Sequence, residues 1–280
     1  MNNHQYYFMI QQFTLFSDFF MYEVFSRSKP AITLLARILT GKPDLVVKRW
    51  GMEVKKGLPF FRHVRYDLFV EDMEGNLYNF EIENGGRALG QRALFNLSVL
   101  VSHMLKPNEP FRVLNESWVV FLTRKDFMRR NEPFYTYEWF DRKWKRILHT
   151  KAHIRFVNGE YRGDDAIGKL MHDFHCTNPD DMFYDELREA VSYFKKEPEG
   201  VNAMCEIMRE FERKSKNEGR REGRAEGRAK GRAEGRAQER EAIMRKLYAK
   251  GMDCPTIAEV TGQTIAKVET FFQKQALNKG

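Results

Sequence analysis

Residues 65–84 read Arg-Tyr-Asp-Leu-Phe-Val-Glu-Asp-Met-Glu-Gly-Asn-Leu-Tyr-Asn-Phe-Glu-Ile-Glu-Asn, and they leave few choices of local structure. Apolar and polar residues alternate at period two over residues 64–71 and again over 77–83, which predicts two strands. Between them Met73-Glu74-Gly75 fits a three-residue hairpin loop. Such loops favour a type I turn followed by a left-handed residue, and Gly75 stands at that residue. The loop fixes the register. Asp72 pairs with Asn76, Val70 faces Tyr78, Leu68 faces Phe80 and Tyr66 faces Ile82, so one face is largely apolar.

The same register sets the other face. Asp67 falls across from Glu81, and Glu83 lies two residues on. Directly paired side chains have Cβ atoms about 4.5–5.5 Å apart. Two carboxylates that close repel unless a positive charge lies between them. A hard divalent cation such as Mg²⁺, which prefers oxygen ligands, answers that need, and it can polarise a phosphate and lower the pKa of a bound water. Acids on one face of an amphipathic hairpin are ordinarily only its solvated face. Two features argue for more here: the acids converge on one point, and Phe69 shares their face, which implies partial cover. Arg65, Arg87 and Arg92 lie close in sequence and are candidates for phosphate contact. For Arg65, a cross-strand ion pair with Glu83 is the simpler expectation.

The flanking sequence places the hairpin in a mixed α/β fold. A helix ends over residues 31–39, closed by Thr40-Gly41-Lys42-Pro43, and Leu45-Val46-Val47 begins a strand. Residues 91–105 form a helix stopped before Pro107, and residues 118–122 a short buried strand. A strand over 153–157 and helices near 164–174 and 179–195 follow. The core order is helix, three strands, helix, strand.

Tyr66-Asp67 followed, after an Asp-x-x-Gly turn, by Glu81-Ile82-Glu83 resembles the pattern of the Rpn family of recombination-promoting nucleases and putative transposases, within the PD-(D/E)XK nuclease superfamily. Ser17-Asp18-Phe19-Phe20 with Val24-Phe25, Gln91-Arg92-Ala93, Val157-Asn158-Gly159, Leu170-Met171-His172-Asp173-Phe174 and Asp180-Asp181-Met182 resemble further stretches of that family. The resemblance spans residues 14–196. It implies a PD-(D/E)XK nuclease-like core and a metal-dependent DNA endonuclease, a phosphodiester hydrolase linked to recombination or transposition. Asp67 and Glu81 would hold Mg²⁺ or Mn²⁺. Glu83 would act as a further ligand or general base. It stands where the superfamily usually has lysine and this family often has glutamine. An ionised glutamate donates no hydrogen bond, so the alternative is a catalytically degenerate DNA-binding or oligomerising protein of the same fold.

A formal net charge of +8 fits a polyanionic partner. Cys176, Cys205 and Cys254 are odd in number and far apart, so no disulfide framework is expected and a reducing, cytoplasmic setting fits best. Residues 1–13 lack the basic and apolar regions of a secretory signal, and no apolar run approaches the ~18–20 residues of a membrane span. His172 and Cys176 lie four apart beside His175, but no second pair follows at zinc spacing, so a structural turn is expected there.

Composition divides the chain into a nuclease-like domain over residues 1–213, a linker over 214–240 and a small helical unit over 241–280. Glu-Gly-Arg-Ala and its Lys variant repeat at period four over residues 222–237. Four residues overshoot one helical turn by about 40°, so no fixed apolar seam forms. Each interior glycine costs about 1 kcal/mol relative to alanine. A marginal helix or a flexible charged linker follows, and a linker is expected over a basic DNA-tracking arm because the interleaved glutamates dilute its charge. Beyond it, Ile257-Ala258, Gly262 and Val268 match helix-turn-helix spacing. The second helix, from Thr264, exposes Lys267 and Gln273 but little arginine, so homo-oligomerisation is as open as DNA reading.

Overall fold

The structure, a computed structural model, describes residues 3–56, 63–85 and 87–277. Two compact units make up the chain, Met1–Met208 and Arg209–Gly280. The first begins with α1 (Asn3–Gln12), α2 (Asp18–Arg27) and α3 (Lys29–Thr40). The strands β1 (Val47–Lys56), β2 (Val64–Asp72) and β3 (Leu77–Glu83) follow, then α4 (Leu89–Ser102) and β4 (Ser117–Thr123). Next come β5 (Phe134–Tyr137), the short strands β6 (Phe140–Asp141) and β7 (Arg146–Ile147), and β8 (Ala152–Asn158). α5 (Ala166–His175) and α6 (Asp185–Lys195) precede α7 (Pro198–Ala249), α8 (Cys254–Thr261) and α9 (Ile265–Leu277).

One mixed six-stranded sheet has the order β1-β2-β3-β4-β8-β5. β1, β2 and β3 form an antiparallel meander, β4 and β8 run parallel to β3, and β5 is antiparallel to β8. The expected order of helix, three strands, helix and strand is found as α3-β1-β2-β3-α4-β4. α3 has clear limits. The Ser28 side chain accepts the N–H of Ala31, and Gly41 closes the helix at φ 75°.

The β2–β3 loop is built as its sequence demands. Gly75 has φ 80° and its N–H donates to the Asp72 carbonyl at 3.1 Å. The buried Asp72 carboxylate accepts from the backbone of Glu74 and Asn76, from the Asn76 amide and, at 2.7 Å, from the Tyr78 hydroxyl. Asp72→Ala is expected to destabilise the fold by about 2–4 kcal/mol, because several buried donors lose one shared acceptor. A lowered urea midpoint would show it.

Helices cover both faces of the sheet. α1, α2, α3, α5 and α6 pack on the face that carries Leu68, Val70, Tyr78, Phe80, Val120 and Leu122. α4 packs on the other, over Phe69, Leu77, Val119, Phe121 and Phe156. The acidic face of the hairpin is therefore partly covered: Glu81 is buried, and Asp67 and Glu83 are half-buried. The pairs Val70–Tyr78 and Leu68–Phe80 form as the loop register requires. The expected Tyr66–Ile82 facing pair does not. Tyr66 lies under α4, where its hydroxyl donates to the Asn96 carbonyl at 3.0 Å, whereas Ile82 packs against the opposite layer. The alternation of β2 slips between Tyr66 and Leu68. At that level in β1, between the partners of those two residues, Glu53 adopts φ 50°.

In the second unit the repeat is helical, within α7, and residues 214–240 are exposed throughout. Of the two expected forms, the helix is the one found. The alanine, arginine, glutamate and lysine of the repeat are strong helix formers, and they offset the glycine cost. Pairs four residues apart, Lys214–Glu210 at 2.9 Å and Arg245–Glu241 at 3.5 Å, add support on either side of it. Met244, Ile257, Ala258 and Val268 form a small core. Asp253 caps α8 and Gly262 ends it at φ 62°. Among the described residues no helix is long and apolar enough to cross a membrane.

Candidate metal and phosphate site

β2 and β3 part beyond the Leu68–Phe80 pair, and the parting makes the site. The N–H of Ile82 donates to the Asp67 carboxylate at 3.1 Å. Glu81, only 3% exposed, accepts from the Asn79 amide at 2.9 Å. From the first turn of α4, Arg92 bridges the acids. One guanidinium nitrogen pairs closely with Glu83, and another lies 3.8 Å from Glu81. The guanidinium also sits 5.3 Å from the centre of the Phe121 ring, which helps to fix it. Glu83 is held on its other oxygen by the N–H of Gly85 at 2.7 Å.

One arginine pairs otherwise than expected. Arg65 pairs with Glu53 at 3.0 Å and not with Glu83. β1 sets Glu53 beside it, while α4 delivers Arg92 to Glu83. Arg65 still lines the cleft. Arg87 is exposed in the turn before α4 and makes no ion pair among the described residues. The cleft has a volume of about 470 Å³ and is lined by His63, Val64, Arg65, Glu81, Ala88, Gln91, Arg92, Phe95 and Asn96.

The electrostatics follow from burial. Burial first, then the charge of Asp67, pushes the pKa of Glu81 up to about 8, against the Asn79 amide and Arg92. Burial likewise pushes Asp67 up to about 6. The Ile82 N–H opposes this, and the charge of Asp18 adds to it. With no cation present, the pair retains a proton near neutral pH.

Two residues join the site that the hairpin reading did not assign to it. Asp18, in the first turn of α2, acts on Asp67 through its charge, and the Asn84 amide lies 3.3 Å from its carboxylate. Its sequence signal was its place in the Ser17-Asp18-Phe19-Phe20 stretch of the resemblance. Asn79 is fully buried, and its Oδ1 has no hydrogen-bond partner among the described residues. It stands two residues before Glu81 on the same face of β3, which period two could have revealed.

His172, Asp173 and Cys176 also bring ligand atoms within 4.8 Å of one another. Their bonding is structural. The Asp173 carboxylate accepts the N–H groups of Phe183 at 2.8 Å and Tyr184 at 3.0 Å. Burial, then the charge of Asp173, pushes the Cys176 thiol up to about 11. These contacts close α5 onto the turn before α6. No family model matches the chain, and neither does any curated protein or solved structure.

Proposed function

We propose that the chain is a divalent-metal-dependent DNA endonuclease on a PD-(D/E)XK-like core, acting in recombination or transposition. One observation carries the reading: half-buried Asp67 and buried Glu81 lie close enough for the charge of Asp67 to act on Glu81, and the cation beside Glu81, Arg92, is shared with Glu83. The site is short of positive charge.

The donors fit a hard ion. Asp67 and Glu81 offer carboxylate oxygens, and the amide oxygen of Asn79, next to Glu81, lacks a partner among the described residues. Asp67 and Glu81 would hold Mg²⁺ or Mn²⁺, which would act as a Lewis acid on phosphate and lower the pKa of a bound water. Arg92 presents a planar fork of donors that suits phosphate oxygens. Glu83 positions that fork from the strand. The lysine usual at the Glu83 position is thereby replaced in function by an arginine from α4, and the Glu83 charge is neutralised within the protein.

Plasmid nicking in Mg²⁺ or Mn²⁺ tests the reading. Wild type is expected to cut, and EDTA or Asp67→Ala to abolish cutting. Glu83→Gln is expected to slow cutting about 10–100-fold, because Arg92 loses its anchor. The Glu83–Arg92 pair also favours a second reading, in which it locks away the phosphate-binding arginine of a degenerate site. Salt-sensitive DNA binding by a wild type that never cuts would support that one, most directly if Glu83→Gln then cuts.

A further inference from the structure

We infer that the β6–β7 hairpin is an arm that grips single-stranded nucleic acid. Between β5 and β8 the chain leaves the main sheet. Phe140 pairs with Ile147 and Asp141 with Arg146, and the Leu148 N–H donates to the Trp139 carbonyl at 2.8 Å. The turn carries Arg142, Lys143, Trp144, Lys145 and Arg146 in succession. None of these four cations makes an ion pair among the described residues. Two rest on rings instead, Lys143 at 5.2 Å from the Trp144 centroid and Lys145 at 5.8 Å from that of Phe140. The rings face water: Trp144 is 69% exposed, Phe140 52% and Trp139 47%.

The arm therefore has two unmet needs, a polyanion for its cations and a flat apolar partner for its rings. An acidic peptide meets the first alone. A duplex meets the first and keeps its base faces stacked away. A single strand meets both, through phosphates and unstacked bases. Trp139 also lines an apolar cavity of about 340 Å³ with Leu94 of α4, Phe127, Tyr137 and Phe156. Gly90 and Leu94 of α4 face this cavity, while Arg92 and Phe95 face the carboxylate cleft. A strand crossing α4 would meet both. As a substrate assignment for the carboxylates this rests on the nuclease reading; as a binding site it stands apart.

The test titrates the full chain, in EDTA, with oligothymidylate longer than the ~4–16 nucleotides such a site covers. A duplex of equal length is the comparison, and tryptophan fluorescence the signal. The other two tryptophans, Trp50 and Trp118, lie in β1 and β4. Quenching and tighter binding of the single strand are expected. Trp144→Ala should weaken binding roughly 5–150-fold, with Trp144→Phe retaining most of it. Arg142→Ala with Lys143→Ala should lower the slope of log affinity against log salt by about 1.4. Absent quenching, duplex binding as tight as single-strand binding, or wild-type affinity and salt slope in these variants would overturn the arm. Because no metal is present, these results are independent of cleavage. A chain that binds through the arm and never cuts keeps this inference and removes the nuclease reading. Metal-dependent cutting with an arm indifferent to substitution does the reverse.

Discussion

Glu81→Gln is expected to stabilise the metal-free chain at pH 8 and to slow metal-dependent cleavage about a thousandfold. Glu81 is buried, and its pKa is pushed up to about 8 by burial and by Asp67. The unfolded chain releases that proton near the ordinary value of 4.5. Folding therefore takes up a proton between those values, and stability falls as pH rises from about 4.5 to about 8. Glutamine keeps the shape, carries no charge and escapes that penalty. The gain should be about 1–3 kcal/mol at pH 8, or roughly 2–12 °C in melting temperature, and should vanish near pH 4. Saturating Mg²⁺ should reverse the order, because the variant lacks a ligand and loses the stabilisation that binding confers. About 4 kcal/mol of lost transition-state stabilisation corresponds to the thousandfold slowing. Thermal melts at pH 4 and pH 8, with EDTA or Mg²⁺, together with nicking rates, decide it. A variant less stable than wild type at pH 8 in EDTA would mean that Glu81 serves packing, and the metal reading would lose its chief support.

The parts of this site legible in the sequence are those set by local rules. Gly75 is left-handed and the pairs Val70–Tyr78 and Leu68–Phe80 form, because turn chemistry and alternation agree there. The slip at Tyr66 was not legible. It accompanies left-handed Glu53 in another strand and a bond to the Asn96 carbonyl of a helix not yet placed. The arginines show the same limit. A hairpin register offers Arg65 to Glu83, but β1 supplies Glu53 to the first and α4 supplies Arg92 to the second. In the repeat, the missing apolar seam pointed away from a long helix. A seam is needed for packing, whereas propensity and pairs four residues apart act within one helix. β6 and β7 have two residues each, too few to leave a period in the sequence, so the basic aromatic turn between them showed only as composition.

Lys195→Met is expected to destabilise the first unit by about 3–5 kcal/mol, with no direct effect on the carboxylates. Lys195 ends α6 and is 1% exposed. Its ammonium donates to the carbonyls of Gln11 at 3.1 Å, Phe13 at 2.6 Å and Thr177. The Gln11 amide in turn donates to the Lys195 carbonyl at 2.9 Å. All three ammonium protons are used, and one residue ties α1, the chain leading to α2 and the turn after α5 to the end of α6. Burial pulls its pKa down to about 8, which leaves it charged at neutral pH. Methionine fills the same channel with an apolar stem, so the loss isolates the hydrogen bonds from the packing. Gln11 and Phe13 are half-buried and Thr177 is exposed; each carbonyl that water does not reach after the loss costs about 1–3 kcal/mol, and relaxation keeps the total below the sum. The urea midpoint should fall with an unchanged slope. Buried ions replaced by apolar groups sometimes gain stability. A Met variant as stable as wild type would mean that the three carbonyls find other donors. The α1–α2 layer that carries Asp18 would then owe its place to its apolar contacts and its remaining hydrogen bonds.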